Sequence, residues 1–449
     1  MPLHITLRNR AEIVICNACA SEPLVVRDQH VLAHHAAEVV DGLKLAMAAT
    51  GAERGIIAYI NNDLDIDTAL RQILEGRPGI EIFHAPEFYP VGEEYTLTYE
   101  ATRRLAGAGG PIAVGVLLLD PETLCDLTRS MQGIPVTHRT VSITGCVSNP
   151  RVVRMPLGST VADALECAGG AAGRFRVLVG GPVGGSLAED LDQPITKLTE
   201  GLVVLPERHV QVQKRVRSLA TMLLRARSAC FQCRDCTDHC TRHLLGRGIE
   251  PHAIMRAICY SLDNLNDSIT SAVECGECGV CDSFVCRMGI SPRIVCGQIK
   301  SHLRVMGWQA IEKIEKPSVP QVSANYANGH VEIDALCRRL GIIDYIEKTA
   351  WHTIIHAEEQ QVAVDDLAVP LLQHEGVPAR PVVSENERVE RGQLIGEIPD
   401  GARAARIHAP AAGIVHLMSR CVKIASRRDT PADADSDVDD TDVVQPSAP

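Results

Sequence analysis

The residues whose type and spacing can do chemistry are cysteines. Nine of the 17 cysteines fall between Cys230 and Cys286, in two runs: Cys230-x2-Cys233-x2-Cys236-x3-Cys240 and Cys275-x2-Cys278-x2-Cys281-x4-Cys286. Three thiolates at two-residue gaps wrap one corner of a cubane in a tight loop, and the fourth ligand comes from elsewhere, commonly from the other run. On that logic Cys230, Cys233, Cys236 and Cys286 hold one [4Fe–4S] cluster, and Cys275, Cys278, Cys281 and Cys240 hold the other. Zinc is the competing reading, because Cys-x2-Cys pairs also build closed tetrahedral sites. Zinc sites are usually two separated pairs, whereas these are triplets plus one, so the spacing favours iron–sulfur. The bacterial ferredoxin run ends in Cys-Pro; here Thr241 and Arg287 follow instead, which matters little because proline turns the chain and binds no iron. Cys16, Cys19, Cys125, Cys146, Cys167, Cys259, Cys296, Cys337 and Cys421 lack ligand spacing and read as small buried hydrophobes. Cys16 and Cys19 form a lone Cys-x2-Cys with nothing to partner it.

Such runs need a scaffold, and the chain has material for about three domains: 449 residues, 45% hydrophobic and 22% charged. The first part alternates apolar runs (Ala11 to Cys16, Gly55 to Ile60, Ile80 to His84, Ile112 to Leu119) with helical stretches (Ala33 to Ala49, Asp67 to Glu75), which predicts an α/β unit with a largely parallel sheet. Thr140 to Phe175 and beyond reads as a small β-rich module with one helix starting near Thr160, where Thr160 and Asp163 suit a helix start. His209 to about Gly307 is helical between the cysteine runs. Asp365 to Ile424 returns to short strands with glycines at tight turns.

Composition excludes several classes of function. Aromatic residues are 3% of the chain and the formal net charge is −12, so neither stacking platforms nor a basic field for nucleic acid exists. Seven of the excess charges are Asp429, Asp433, Asp435, Asp437, Asp439, Asp440 and Asp442, in a tail too polar to offset chain entropy and expected to be disordered. No apolar run reaches the ~18 residues of a membrane span, and the N-terminus lacks a secretory layout. A cytosolic chain with reduced thiols is expected.

With the cluster runs in place, further motifs carry a family resemblance over about residues 2 to 425. Asn17-Ala-Cys-Ala-Ser-Glu-Pro23 resembles N-x-x-x-x-E-P, Tyr89-Pro-Val-Gly-Glu-Glu94 resembles Y-P-x-G-x-E, Pro121-Glu-Thr-Leu124 resembles N-V-E-T-L, and Gly180-Gly-Pro-Val-Gly-Gly185 resembles G-G-P-M-x-G. The order of modules resembles the RnfC family, and within it the cobalamin reductases of propanediol-utilisation microcompartments. That resemblance implies a multidomain α/β architecture: a flavoprotein-like domain of the complex I NADH-subunit type at 1–135, a β-grasp-like SLBB module at 136–208, a ferredoxin-like helical dicluster domain at 209–310, a connecting helical segment at 311–364, a barrel-sandwich module at 365–426 and a disordered acidic tail at 427–449. It also implies cofactor-binding roles for Asn17, Glu22, Tyr89, Gly92, Glu93, Glu94 and Glu122. The implied activity is that of an oxidoreductase of the NADH-dependent cobalamin reductase kind. Electrons come from NADH or a flavin partner, cross two [4Fe–4S] clusters and reach an acceptor, by resemblance a corrinoid. Donor and acceptor proteins and a microcompartment shell protein are the implied partners.

The chain departs from the family at the flavin. The family's phosphate loop, G-x-G-G-A-G-F-P-T, lets backbone N–H groups approach the anion, and Met1 to His4 aligns with its end. The cradle is therefore missing from this sequence. Thr6 stands for a lysine, Ala20 for an acid and Asp120 for the asparagine of N-V-E-T, which together argue against tight FMN binding. Either a later start codon has been assigned, predicting an in-frame glycine-rich extension upstream, or this branch has shed its flavin; the internal substitutions favour the second. Glu93 and Glu94 are then relics of a nucleotide site or solvated helix-start acids. The alternative function is a flavin-free iron–sulfur carrier or scaffold between a shell protein and a separate flavoenzyme; a zinc-structured adaptor is a third.

Other motifs have plainer readings. Gly180 to Gly185 lacks a following Lys-Ser/Thr and reads as a turn rather than a phosphate cradle. Pro399-Asp-Gly401 carries no lysine for lipoate or biotin. His30/His34 and His352/His356 have i,i+4 spacing with Asp28, Glu38 or Glu358 nearby, but neither has the HExxH form, and packed or solvated helix faces are expected rather than a second metal site.

Overall fold

A strand buried on both faces must be apolar throughout, and Ile13-Val-Ile-Cys16 meets that condition. In the computed structural model, which describes residues 2–19, 22–60, 63–260, 266–307, 321–374 and 376–425, this run forms β1 (Ile13–Asn17). With β2 (Arg54–Ile60), β3 (Ile80–Ala85) and β4 (Val116–Leu119) it makes a sheet of order β3-β2-β1-β4, parallel throughout. Val14 and Cys16 pack beneath α1 (Arg27–Thr50) and α4 (Pro121–Met131), while Ile13 and Ile15 pack on the other face with Phe88 and with Leu97 of α3 (Glu94–Thr102). α1 and α4 approach so closely that a Cβ on Gly42 would collide with the Leu124 carbonyl oxygen. The helix expected from Ala33 begins earlier, at Arg27. The one expected from Asp67 is α2 (Leu64–Leu74), whose start is fixed by the Asp63 side chain accepting from Asp65 and Ile66 N–H groups. The run from Ile112 is strand only from Val116, because Pro111–Val114 forms a 3-10 turn.

The second sheet contains β5 (His138–Gly145), β6 (Arg151–Pro156), β7 (Phe175–Val179), β8 (Ser186–Leu187), β9 (Gly201–Pro206) and β10 (Gln360–Gln361), in the order β10-β6-β5-β9-β7-β8. Its helix α5 (Val161–Cys167) starts at Thr160 with a reciprocal Thr160–Asp163 capping box. β10 arrives from the segment expected only to connect modules and pairs parallel with β6, Gln360 opposite Val153. The same segment contributes α9 (Ile333–Leu340) and α10 (Trp351–His356), and Val331 pairs through its backbone with Tyr89.

The helical region contains α6 (Leu219–Ala229), α7 (Pro251–Tyr260) and α8 (Pro292–Val305). Val280 and Val285 of its second cysteine loop share one core with Leu178 and Leu205 of the second sheet and Leu336 and Leu340 of α9. The last module is two small sheets, β11-β17-β16-β13 and β12-β14-β15, drawn from β11 (Asp366–Pro370), β12 (Arg380–Pro381), β13 (Arg388–Val389), β14 (Leu394–Glu397), β15 (Ile407–His408), β16 (Gly413–Leu417) and β17 (Cys421–Ala425). They close on Leu367, Val369, Ile395, Val415 and Ile424. Ala20, residues 308–320 and the tail at 427–449 lie outside the described residues.

Candidate functional site

Both cysteine loops curl by the same device. Gln232 and Arg234 in the first, and Glu277 and Gly279 in the second, have positive φ (60°, 68°, 56° and 77°). These are the second and fourth residues after the leading cysteine of each triplet. Left-handed residues at those positions turn the chain so that three sulfurs face inward, at a cost that only glycine avoids. Gly279 is pressed against a neighbour as well: a Cβ there would lie 2.5 Å from Val183 Cγ1.

The loops bound two separate cavities. Cys230, Cys233, Cys236 and Cys286 line one, beside Gln232, His252, Met255 and Pro292. Cys240, Cys275, Cys278 and Cys281 line the other, so each takes its fourth cysteine from the opposite run. Among the described residues, the cysteines form no compact group of three or more donors around a single-ion position. A tetrahedral zinc with bonds of about 2.3 Å needs sulfurs about 3.8 Å apart. Wide rings of thiols around a cavity suit a cubane instead, and the donor set fits [4Fe–4S].

The surroundings hold the thiols and supply N–H groups to them. Gln232 Nε2 donates to Cys230 Sγ at 3.2 Å, and the Glu277 N–H to Cys275 Sγ at 3.4 Å. Tyr89 Oη donates to the Cys278 carbonyl at 2.5 Å and Lys300 Nζ to the Cys275 carbonyl at 2.8 Å. Burial pushes the Cys236 and Cys240 thiols up to about 12 and those of Cys278 and Cys281 well up, so iron must displace protons there. Cys275 differs: a hydrogen bond from the Cys296 thiol brings it down to about 7 against its burial. Cys296, on α8, lines the second cavity, although its sequence context reads as that of a packing residue. Its position one helix turn inside α8 carries no loop spacing, so only proximity reveals it. Cys16 and Cys19 are buried, with thiols raised chiefly by burial, and lie away from both cavities.

Of the residues expected at a cofactor, Glu22, Tyr89, Glu93 and Glu94 meet around one cavity of about 290 Å³, with Arg242, Glu277 and Cys278. It therefore adjoins the second cysteine set. Arg242 bridges Glu93 at 2.6 Å and Glu94 at 2.9 Å, while Glu93 also caps α3 through the Tyr95 and Thr96 N–H groups. Asn17 and Gly92 lie outside the cavity lining, joined by a 2.9 Å hydrogen bond from Asn17 Nδ2 to the Gly92 carbonyl. Glu122 is elsewhere, buried against Arg139 at 3.1 Å and accepting the Thr140 N–H at 2.8 Å.

In an open parallel sheet a nucleotide phosphate lies beyond the strand ends where the order reverses, here between β1 and β4. That crevice is filled by the chain's own charges. Arg27, 1% exposed, faces Asp28 at 2.6 Å, Asp120 at 3.4 Å, Glu122 at 3.6 Å and Glu200 at 3.6 Å. Asp120 takes the N-terminus of α4 by accepting from Thr123, and Arg27 and Arg139 overcome its burial to hold its carboxyl below the usual range. Asp28, in the first turn of α1, is raised to about 7 chiefly by burial. Helix ends that could receive a phosphate thus already face carboxylates, and the residues present do not fit an FMN phosphate. The glycine turn is likewise taken: the Val183 and Gly184 N–H groups donate to Glu22 at 2.8 and 2.5 Å, and burial pushes that carboxyl up to about 7.

Comparison with known proteins agrees with this architecture. The Nuo51 FMN-binding domain matches residues 1–129, the SLBB domain residues 140–185, a 4Fe-4S dicluster domain residues 229–291 and the RnfC barrel sandwich hybrid domain residues 347–431. The chain is 36% identical over 422 residues to cobalamin reductase PduS of Salmonella typhimurium, covering 93% of this chain and 90% of that protein. It is 35% identical to the Citrobacter freundii cobalamin reductase PduS, covering 92% and 90%. Over 54% of each chain it is 28% identical to one component of the Na(+)-translocating ferredoxin:NAD(+) oxidoreductase complex of Acetobacterium woodii. The chain therefore belongs to the PduS cobalamin reductase family and is an iron–sulfur electron-transfer oxidoreductase resembling those enzymes.

Proposed function

We propose that the chain is a two-cluster electron conduit that takes electrons from NADH or a flavin partner and delivers them to an acceptor, a corrinoid as in the cobalamin reductases it resembles. The observation that carries this reading is the pair of cavities, each lined by four of the eight run cysteines, three from one run and one from the other. Cys230, Cys233, Cys236 and Cys286 would hold one cubane and Cys275, Cys278, Cys281 and Cys240 the other; bound there, cubanes supply one-electron relay chemistry. The second set sits against the acid-lined cavity of Glu22, Glu93 and Glu94, on the side of the first sheet. The first set opens nearer the surface, with Cys233 exposed and Phe231 65% exposed beside it. That gradient of burial supports entry at the second and exit at the first. No acid–base pair or nucleophile is required.

The ion cluster of Arg27, Asp28, Asp120, Glu122 and Glu200 favours a second reading, a flavin-free carrier docked between a flavoenzyme and a microcompartment shell protein. One experiment addresses both. Anaerobically purified full-length protein is assayed for iron, sulfide and flavin, then given FMN and NADH. Two cubanes predict about eight irons and eight sulfides per chain. Zinc without iron or sulfide overturns both readings. FMN retained on gel filtration and bleached by NADH removes the flavin-free reading, while iron and sulfide with neither FMN retention nor NADH oxidation removes direct entry from NADH.

A further inference from the structure

The two histidine pairs noted in the sequence meet on one seam. α10 lies against α1, and its Ile355 carbonyl accepts from His30 Nδ1 at 2.9 Å and His34 Nε2 at 3.2 Å. On the opposite side of this turn, His352 and His356 face the start of α2. His356 Nε2 lies 2.7 Å from Asp63 Oδ2, and His352 Nε2 lies 3.2 Å from Asp65 Oδ2. The two rings are one helical turn apart, with centroids 4.4 Å apart and planes at 36°, so both Nε2 atoms point the same way. All four donor atoms fall within 4.8 Å of one another.

We propose that Asp63, Asp65, His352 and His356 form a binding site for a divalent transition cation of the zinc class, which clamps α10 to the start of α2. The donor chemistry selects the class of ion: two imidazoles with two carboxylates suit zinc, nickel or copper, whereas magnesium and calcium take oxygen donors. Two carboxylates neutralise the ion's charge. Tetrahedral coordination at about 2.0–2.2 Å sets donors about 3.4 Å apart, so no separation needs to close by more than about 1.4 Å. The site has the means to close. Asp63 is fixed as the cap of α2 through its Oδ1, leaving Oδ2 to the site, and His356 is largely buried. Asp65 and His352 are 71% and 69% exposed at the side chain and are free to swing inward. None of the four residues lines either cysteine cavity, so the proposal is independent of how the clusters are read.

The probe is Zn2+, offered at micromolar concentration by equilibrium dialysis to the cluster-loaded full chain under anaerobic conditions, with zinc and iron counted by mass spectrometry. The expected result is one zinc per chain at constant iron, with affinity reduced at least tenfold in His352→Ala and in Asp65→Asn. Both substitutions fall on mostly exposed side chains and spare the fold. Zinc uptake equal in the native chain and both variants overturns the proposal, as does absence of uptake. Loss in His352→Ala with none in Asp65→Asn reduces the site to a bare histidine pair and overturns the four-residue site.

Discussion

At the scale of single residues, the crossover of fourth ligands is the sharpest claim. Cys240 follows the first triplet in sequence but lines the cavity of the second. Cys240→Ser is expected to abolish the EPR signal of the cluster held by Cys275, Cys278 and Cys281 in the reduced protein and to leave the other, with iron falling by about half. Cys296 lines the same cavity and could take the vacant position, so the double substitution Cys240→Ser, Cys296→Ala closes that route. Loss confined to the first signal would show the pairing to be wrong. The triplets were legible from their two-residue gaps, and the crossover is what such paired runs commonly lead one to expect. Cys296 was not, because its thiol reaches Cys275 through the packing of α8 and not through loop spacing.

At the scale of elements, the histidine seam ties α10 to α1. His30 is fully buried and donates Nδ1–H to the Ile355 carbonyl. Burial, then the neighbouring His34, lowers its pKa from 6.5 to about 4, against the raising effects of the Ile355 carbonyl and Glu359. The unfolded chain therefore takes up this proton at higher pH than the folded chain. The contribution to stability is present above pH 6.5 and is lost as pH falls towards 4, roughly 3 kcal/mol in all at about 1.36 kcal/mol per pKa unit. His30→Asn keeps an N–H donor near the Nδ1 position. Denaturant melts should show a shallower loss of stability from pH 6.5 to 4 in this variant than in the native chain; an unchanged slope would exclude His30 as its source. Sequence periodicity showed both histidine pairs as helix faces. It could not show them on one seam, because the partners are more than 280 residues apart, as in His352 with Asp65.

At the scale of the whole molecule, one arginine joins the cysteine region to the first sheet. Arg242, 9% exposed, binds Glu93 and Glu94, donates to the Glu274 carbonyl at 3.1 Å and lies 4.0 Å over the Tyr95 ring. Removing one partner of a buried pair costs about 3–5 kcal/mol, and the exposure of Glu94 puts the expectation at the lower end. Arg242→Ala should lower stability by about 3 kcal/mol in denaturant melts and release iron faster, since Cys240 is only two residues away. Arg242→Lys should fall between. Native stability and iron retention in Arg242→Ala would show that the two regions do not depend on this contact.

The sequence by itself determined the chemistry of the cysteines, the alternation of strand and helix, and the order of modules, because ligand spacing, apolar periodicity and capping are local. Thr160 and Asp163 are an instance: three residues apart, they fix a helix start wherever the module sits. The tertiary structure decided what depends on distant charges meeting. Glu22, Tyr89, Glu93 and Glu94 gather beside the second cysteine set, whereas Glu122 turns to Arg139. Asp120 hinted from sequence at a weakened phosphate site, but only the fold brings Arg27, Asp28 and Glu200 around it. A buried arginine must be neutralised by whatever carboxylates the packing delivers, and that packing filled the crevice where an FMN phosphate would lie.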